Sequence, residues 1–311
     1  QGHGLNAGGV AELQSKGASL VITCDSGISD LDEADKSAAL GVDLIVTDHH
    51  VPLARLPKAV AVVNAKRRNS RYPFREFAGV GIAFKLMQAV YYGRGDASRL
   101  EELLELVALG TIADMVALTG ENRMLVQKGL RVLNNTTRPG LRALIQSSGL
   151  TPGSITSGDV SWALGPRINS SGRIDDADMS LRLLMTSSFD EAERLAAELD
   201  TVNSQRQQLT VEVYDKVVDQ LATQKDRPLF LAADTSYPEG VIGLVAGRIS
   251  KEFYRPAVVV TAGDDLCRGS SRSIPEFDLA AALEKSSDLL VSFGGHPLAA
   301  GFAVTPGNLP L

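Results

Sequence analysis

Cysteine is nearly absent from this 311-residue chain: Cys24 and Cys267 stand far apart, and no Cys-x-x-Cys pair occurs. Two such thiols can build neither a disulfide framework nor a thiolate zinc site. Long apolar runs are missing too. None approaches the roughly 18 unbroken residues of a membrane span, and no basic-then-apolar leader opens the chain. A cytoplasmic protein with no membrane association is the expectation. Basic residues are not in excess. Thirty-one Lys and Arg against 37 Asp and Glu leave a formal charge of −6 and a pI near 5.3. That balance argues against gripping nucleic acid over the whole surface, while a local basic groove remains open. No internal repeat or low-complexity tract is found.

What is present is ordinary globular material. Hydrophobic residues make up 44% and charged residues 22%, with mean hydropathy near zero, which excludes disordered and collagenous classes and implies a sizeable core. At about 100–200 residues per domain, the length points to two domains. The chain opens on Gln1 rather than Met, inside Gly-rich QGHGLNAGG, as a piece of a longer protein would.

Short apolar runs at 19–24, 43–47 and 59–63 alternate with helical pattern, the signature of a parallel α/β sheet. Ligands bind at the carboxyl ends of such strands, and the runs end at Asp25, at Asp48-His49-His50 and at Asn64. From Gly79 to about Ile145 the apolar spacing predicts helices. The glycines and proline of GPRINSSGR at 165–173 predict a break in regular helix there. Residues 189–225 read as one or two long connecting helices, followed by strand–helix–strand order in a smaller α/β domain over 226–311. The first domain is accordingly drawn as 1–188.

Adjacent side chains diverge at a strand end, so Asp48-His49-His50 can offer one ligand inward while another faces substrate; a solvated polar loop is the alternative. Asp25, and Asp114 within apolar LGTIADMVAL, are carboxylates whose burial needs a partner. Asp114 read alone is more often a helix cap. Carboxylates with imidazole and no thiolate suit Mn2+ or Mg2+. Two such ions would activate water for hydrolysis of a phosphate ester or anhydride. Arg272 beside Ser270 offers a planar charged fork and a hydroxyl for phosphate, or a surface salt bridge. His296 reads as a structural histidine as readily as a cleft residue, Gly294 and Gly295 as a tight turn, and Arg167 as helix packing.

Together, Asp25, Asp48-His49-His50, Asp114 in IADMV and the terminal GGHPLAAG at 294–301 resemble the DHH phosphoesterase superfamily with its DHH-associated second domain. Seven further motifs are similar to its branch of single-strand-specific 5′→3′ DNA exonucleases. They are GLN at 4–6, NAKR at 64–67, YPF at 72–74, GVGIAFKL at 79–86, GPRINSSGR at 165–173, GVIGLVAGR at 240–248 and SSRSI at 270–274. The likeness runs over nearly the whole chain.

That resemblance implies roles. Asp25 matches a carboxylate bridging two Mn2+ or Mg2+ ions, and His49 and Asp114 match ligands of one of them. Asp48 would orient His49 or lie close to the metals, and His50 would face the scissile phosphate. Ser270 and Arg272 match residues holding a 5′ phosphate, Arg167 and Arg173 further phosphate contacts, and Gly294, Gly295 and His296 the cleft lining. The implied enzyme works as a monomer in DNA repair and recombination, on single-stranded DNA held between the two domains, with single-strand-binding protein or a helicase as partner. Its acidic net charge is tolerable if Arg167, Arg173, Arg268 and Arg272 focus positive potential.

Three departures stand beside the likeness. The family's Asp-x-Asp motif, which supplies further ligands, has no counterpart ahead of Asp25; Asp30-Leu-Asp32 has the spacing but sits at a helix start. Tyr237-Pro238-Glu239-Gly240 lacks the family's usual His. No oligonucleotide-binding barrel follows the second domain, so the expectation is a fragment that can be inactive alone. Two rivals remain: a DHH hydrolase of short oligonucleotides, cyclic dinucleotides or pyrophosphate, and a non-catalytic DNA-binding scaffold.

Overall fold

The apolar runs near the start of the chain become strands whose ends are level. In the computed structural model, which describes residues 4–96, 98–174, 177–224 and 226–310, helix α1 (Ala7–Ser15) starts at Asn6, whose side chain accepts the Gly9 N–H at 3.0 Å. Strand β1 (Leu20–Cys24), helix α2 (Leu31–Ala39), β2 (Asp43–Thr47) and β3 (Ala61–Val63) follow. The strands form a parallel sheet in the order β1-β2-β3, with Cys24 beside Thr47 and Thr47 beside Val63. Asp25, Asp48 and Asn64 therefore leave one edge together. Ala34 of α2 packs on Leu44 and Val46, which are buried beneath that edge.

Helices α3 (Gly79–Gly93), α4 (Leu100–Ala113), α5 (Gly120–Leu133) and α6 (Pro139–Ser147) occupy the predicted helical stretch. Phe77, Ile82, Phe84, Leu104, Val107 and Leu125 form a core among them. A Cβ on Gly129 of α5 would lie 2.1 Å from the Leu104 carbonyl oxygen, so only glycine lets α4 and α5 approach this closely.

The expected helix break at 165–173 is corrected. After α7 (Ser157–Asp159) comes a π-helical turn, Val160–Leu164, and then α8 (Gly165–Ile174) runs straight through GPRINSSGR. Gly165 N–H bonds to the Val160 carbonyl, widening the helix just ahead of Pro166. Pro166 then falls in the first turn of α8, where a fixed φ and a missing N–H are tolerated. Ser170 and Ser171 are fully buried and donate to the carbonyls of Arg167 (2.6 Å) and Ile168 (3.3 Å).

Helix α9 (Asp178–Met185) leads to α10 (Phe189–Leu221), one helix of 33 residues. Beyond it lie β4 (Phe230–Asp234), α11 (Glu239–Phe253), β5 (Ala257–Thr261), β6 (Cys267–Arg272), α12 (Leu279–Lys285), β7 (Leu290–His296) and β8 (Ala299–Val304). The sheet order is β4-β5-β6-β8-β7, parallel only between β4 and β5. Helices α10 and α11 cover one face over Phe230, Ala232, Ala257 and Val259. By compactness the chain divides into a first unit, up to Pro166 together with Thr186–Glu193, and a second, Arg167–Met185 together with the chain from Arg194. Residues 167–185, drawn with the first domain from sequence, thus group with the second. No helix among the described residues is long and apolar enough to cross a membrane.

Candidate functional site

Asp25 follows β1 in the left-handed region at φ 63°, a conformation Asp tolerates better than most residues, and its N–H is tied to the Thr47 carbonyl at 3.0 Å. This turns its carboxylate toward the first residue of α3. There a Cβ on Gly79 would sit 2.2 Å from Asp25 Oδ1, so the absence of a side chain at 79 makes room for the carboxylate.

His49 is buried, and its Nδ1 lies 2.9 Å from the Phe77 carbonyl oxygen. A carbonyl only accepts, so Nδ1 carries a proton, which leaves Nε2 as the ring nitrogen that can present a lone pair to a cation. Nε2 faces Asp25 Oδ1 at 3.1 Å and Asp114 Oδ2 at 3.7 Å, is itself buried, and has no hydrogen-bond partner. Two carboxylates and an imidazole nitrogen converge on one point. An oxygen-preferring divalent cation that also accepts imidazole fits this gap. Ligand atoms of Asp25, His49 and His50 lie within 4.8 Å of one another, so His50 stands at the same centre.

Asp114 is the C-terminal cap residue of α4, a helix cap in position, but a carboxylate at the negative end of a helix gains nothing there from the helix dipole. Burial raises its pKa; the neighbouring His49 ring opposes the rise and the charge of Asp25 adds to it, leaving it above the usual carboxylate range. Its convergence with Asp25 and His49 accounts for a polar group placed there.

Of the two parts expected of Asp48, orienting the His49 ring or lying close to the proposed metal centre, the ring contact is not made. The Phe77 carbonyl holds that ring, and Asp48 orients His50. Its Oδ1 accepts from His50 Nδ1 at 2.7 Å and from the N–H groups of His49 and His50, and its Oδ2 accepts from Ile28 N–H at 3.0 Å. Burial alone would raise its pKa, but the His50 ring, those amides and the His50 charge bring it down to about 2. In return the Asp48 hydrogen bond raises the His50 pKa against burial, with Asp48, Asp25 and Asp114 adding negative potential. Asn64 Nδ2 clamps the His50 carbonyl at 2.8 Å.

In the second unit the glycines of GVIGLVAGR act as clearances. A Cβ on Gly240 would lie 2.0 Å from the Arg173 carbonyl oxygen, and one on Gly243 would lie 2.9 Å from Ser270 Oγ and 3.2 Å from Arg272. Helix α11 therefore seats both Arg173 and Arg272. Arg272 donates to the Ser271 carbonyl at 2.8 Å and to Ser270 Oγ at 3.3 Å. Burial lowers the Arg272 pKa, and the charge of Arg173 lowers it further. Arg206 of α10 behaves likewise, and burial also lowers Arg173. Among the described residues no carboxylate pairs with these three guanidiniums. Guanidiniums beside a hydroxyl are the donor set that an anion cradle needs.

Register extends this set. Ser270, Gly301 and Gly294 align across β6, β8 and β7, as do Arg272, Ala299 and His296, so both rows share one face with a floor of small residues. Gly295, at φ 146°, approaches Ala299 and Ala300 so closely that a Cβ would clash at 2.5 Å, which makes it a hairpin residue. Arg167 is held by Asp200, with Nη2 at 2.8 Å, and Arg268 faces Glu239 at 3.3 Å. Sequence reasoning missed Gly79, the Phe77 carbonyl and Arg206. A glycine at a helix start was the one available hint for the first; an arginine among polar helix residues gave none for the last.

This fold and this donor set are those of the DHH class of proteins. Residues 6–111 match the DHH family N-terminal domain, and residues 226–311 match the DHHA1 domain. Within that class, the chain belongs to the RecJ family. It is 40% identical over 313 residues to the single-stranded-DNA-specific exonuclease RecJ of Bacillus subtilis (strain 168), covering 100% of this chain and 39% of that protein. A crystal structure of exonuclease RecJ bound to manganese matches with TM-score 0.83 and 33% identity, over 100% of this chain and 77% of that one. RecJ of Thermus thermophilus in complex with Mn2+ matches with TM-score 0.87 and 33% identity, over 98% of this chain and 45% of that one. A second structure of the Thermus thermophilus protein, in complex with Mg2+, matches with TM-score 0.76 and 30% identity, over 98% and 50%.

Proposed function

We propose that this chain carries the hydrolytic core of an exonuclease that digests single-stranded DNA 5′→3′ to mononucleotides. The observation that carries the reading is the buried His49 Nε2, without a hydrogen-bond partner, facing Asp25 and Asp114. Those three residues would hold Mn2+ or Mg2+, which when bound supplies charge stabilisation at the phosphate and acidifies a water. His50, steadied by Asp48 and held more basic than an ordinary imidazole, donates a hydrogen bond to the scissile phosphate. Arg173, Arg206, Arg272 and Ser270 hold a backbone phosphate, with Gly294, Gly295 and His296 lining its approach. Kinship with single-stranded-DNA-specific exonucleases supports the substrate. By the same resemblance the reading extends to a cytoplasmic monomer acting in DNA repair and recombination, alongside single-strand-binding protein or a helicase.

The test uses the full-length protein. Asp25→Ala and His49→Ala should each abolish Mn2+-dependent digestion of long single-stranded DNA while circular dichroism stays native. Undiminished digestion by either variant overturns the metal assignment. A dinucleotide hydrolysed faster than a long strand overturns the substrate assignment.

A further inference from the structure

The N-terminus of α5 grips the segment that orients His49. Gly120, at φ 47°, leaves the space that Phe74 fills, since a Cβ there would lie 2.6 Å from the ring. Glu121 accepts from the Tyr72 hydroxyl at 2.7 Å and pairs with Lys85 at 2.5 Å. Asn122 is fully buried, and its amide Nδ2 donates to two carbonyls, Glu76 at 2.5 Å and Ala117 at 3.0 Å.

Those carbonyls belong to the two segments that present the metal-facing groups. Glu76 immediately precedes Phe77, whose carbonyl fixes the His49 ring at 2.9 Å. Ala117 lies three residues past Asp114, beyond Met115 in the left-handed region at φ 61°. One rigid, planar amide therefore spans the backbone behind His49 and the backbone behind Asp114. Because both partners only accept, the orientation of the amide is unambiguous. Its Oδ1 is buried without a partner. A residue serving only to fill space would avoid that desolvation cost; the two-hydrogen fork is what an apolar side chain cannot supply.

We propose that Asn122 is a positioning residue for the metal centre, setting the separation of His49 and Asp114 through the Glu76 and Ala117 carbonyls. This rests on the reading of Asp25, His49 and Asp114 as metal ligands. Groups that orient ligands from behind typically change metal affinity by about 10–100-fold when removed.

Mn2+ binding to the full-length protein, followed by calorimetric titration, tests the proposal. Wild type is titrated first; absence of binding there overturns the ligand reading itself, separately from Asn122. Asn122→Leu, which keeps the branched heavy-atom outline at somewhat greater bulk and loses the fork, should raise the Mn2+ Kd by about 10–100-fold, with digestion of single-stranded DNA recovering as Mn2+ is raised. Asn122→Ala is the second variant. Tyr72→Phe, which loosens the same segment without touching either carbonyl, should bind Mn2+ as wild type does. A Kd within twofold of wild type in folded Asn122→Leu overturns the proposal. So does an equal loss of affinity in Tyr72→Phe, and so does failure of both Asn122 variants to fold, which would make the role one of general stability.

Discussion

Replacing Gly79 with alanine should disable the proposed metal centre by a steric route that leaves every ligand residue unsubstituted. The new Cβ would stand 2.2 Å from Asp25 Oδ1, 2.5 Å from its Cγ and 2.6 Å from its Cβ, where ordinary contact begins at 3.4 Å. Asp25 cannot retreat by its backbone, which is held in the left-handed region and bonded to the Thr47 carbonyl. The carboxylate must swing away, or α3 must back off, by about 1.2 Å. A misplacement of about 1 Å in a reacting constellation costs roughly 100-fold in rate, and overpacking a tight contact costs about 1–3 kcal/mol of stability. Gly79→Ala should therefore bind Mn2+ weakly by calorimetry, digest single-stranded DNA about two orders of magnitude more slowly, and unfold somewhat earlier. Gly93→Ala is the matched control. It lies in the same helix with nothing within 4 Å of its Cβ, so helix propensity should raise stability by up to about 1 kcal/mol with activity unchanged. Wild-type Mn2+ affinity and rate in Gly79→Ala would refute the argument that Asp25 is held where it is by the missing side chain.

Two further outcomes follow from the second unit. Arg206→Leu should weaken binding of a 5′-phosphorylated oligonucleotide and reduce the salt dependence of binding by a slope of about one; because it relieves repulsion from Arg173, thermal stability should hold or rise, and unchanged affinity would remove Arg206 from the cradle. Tyr237 is fully buried with an unpartnered hydroxyl, and burial, then the charge of Asp234, raises its pKa above the ordinary 10.0. An acid whose folded pKa is raised loses native stability once pH exceeds the unfolded value. Tyr237→Phe should therefore be at least as stable as wild type near pH 7, by up to about 1 kcal/mol, with an advantage that grows above pH 10; a destabilised Tyr237→Phe would mean that the hydroxyl has a partner.

Much of the metal-facing edge is legible in one dimension because burial is written locally. An apolar run ending in Asp25, another ending in Asp48-His49-His50, and Asp114 among LGTIADMVAL each mark a polar group at the end of an apolar element; of these Asp48 and His49 are buried, where a partner is needed, while Asp25 and Asp114 keep access to solvent. The level strand ends follow from parallel pairing, and the helical stretch from its three-and-four spacing. Composition misled at 165–173. Gly and Pro content predicted a break, yet a proline in the first turn, behind a π-helical widening, leaves the helix whole.

What the sequence by itself determined, then, was the kind of chemistry at the strand ends, because side-chain type and hydrophobic period are properties of neighbouring residues. The tertiary structure alone decided which group serves which. The Phe77 carbonyl, rather than Asp48, orients His49 from 28 residues away, and Asn122 reaches back 46 residues to Glu76. Gly79 clears Asp25, and Arg206 joins Arg173 and Arg272 from a separate helix. Hydrogen bonds and excluded volume act over a few ångströms in space, and only the folded chain brings residues so far apart in sequence within that range.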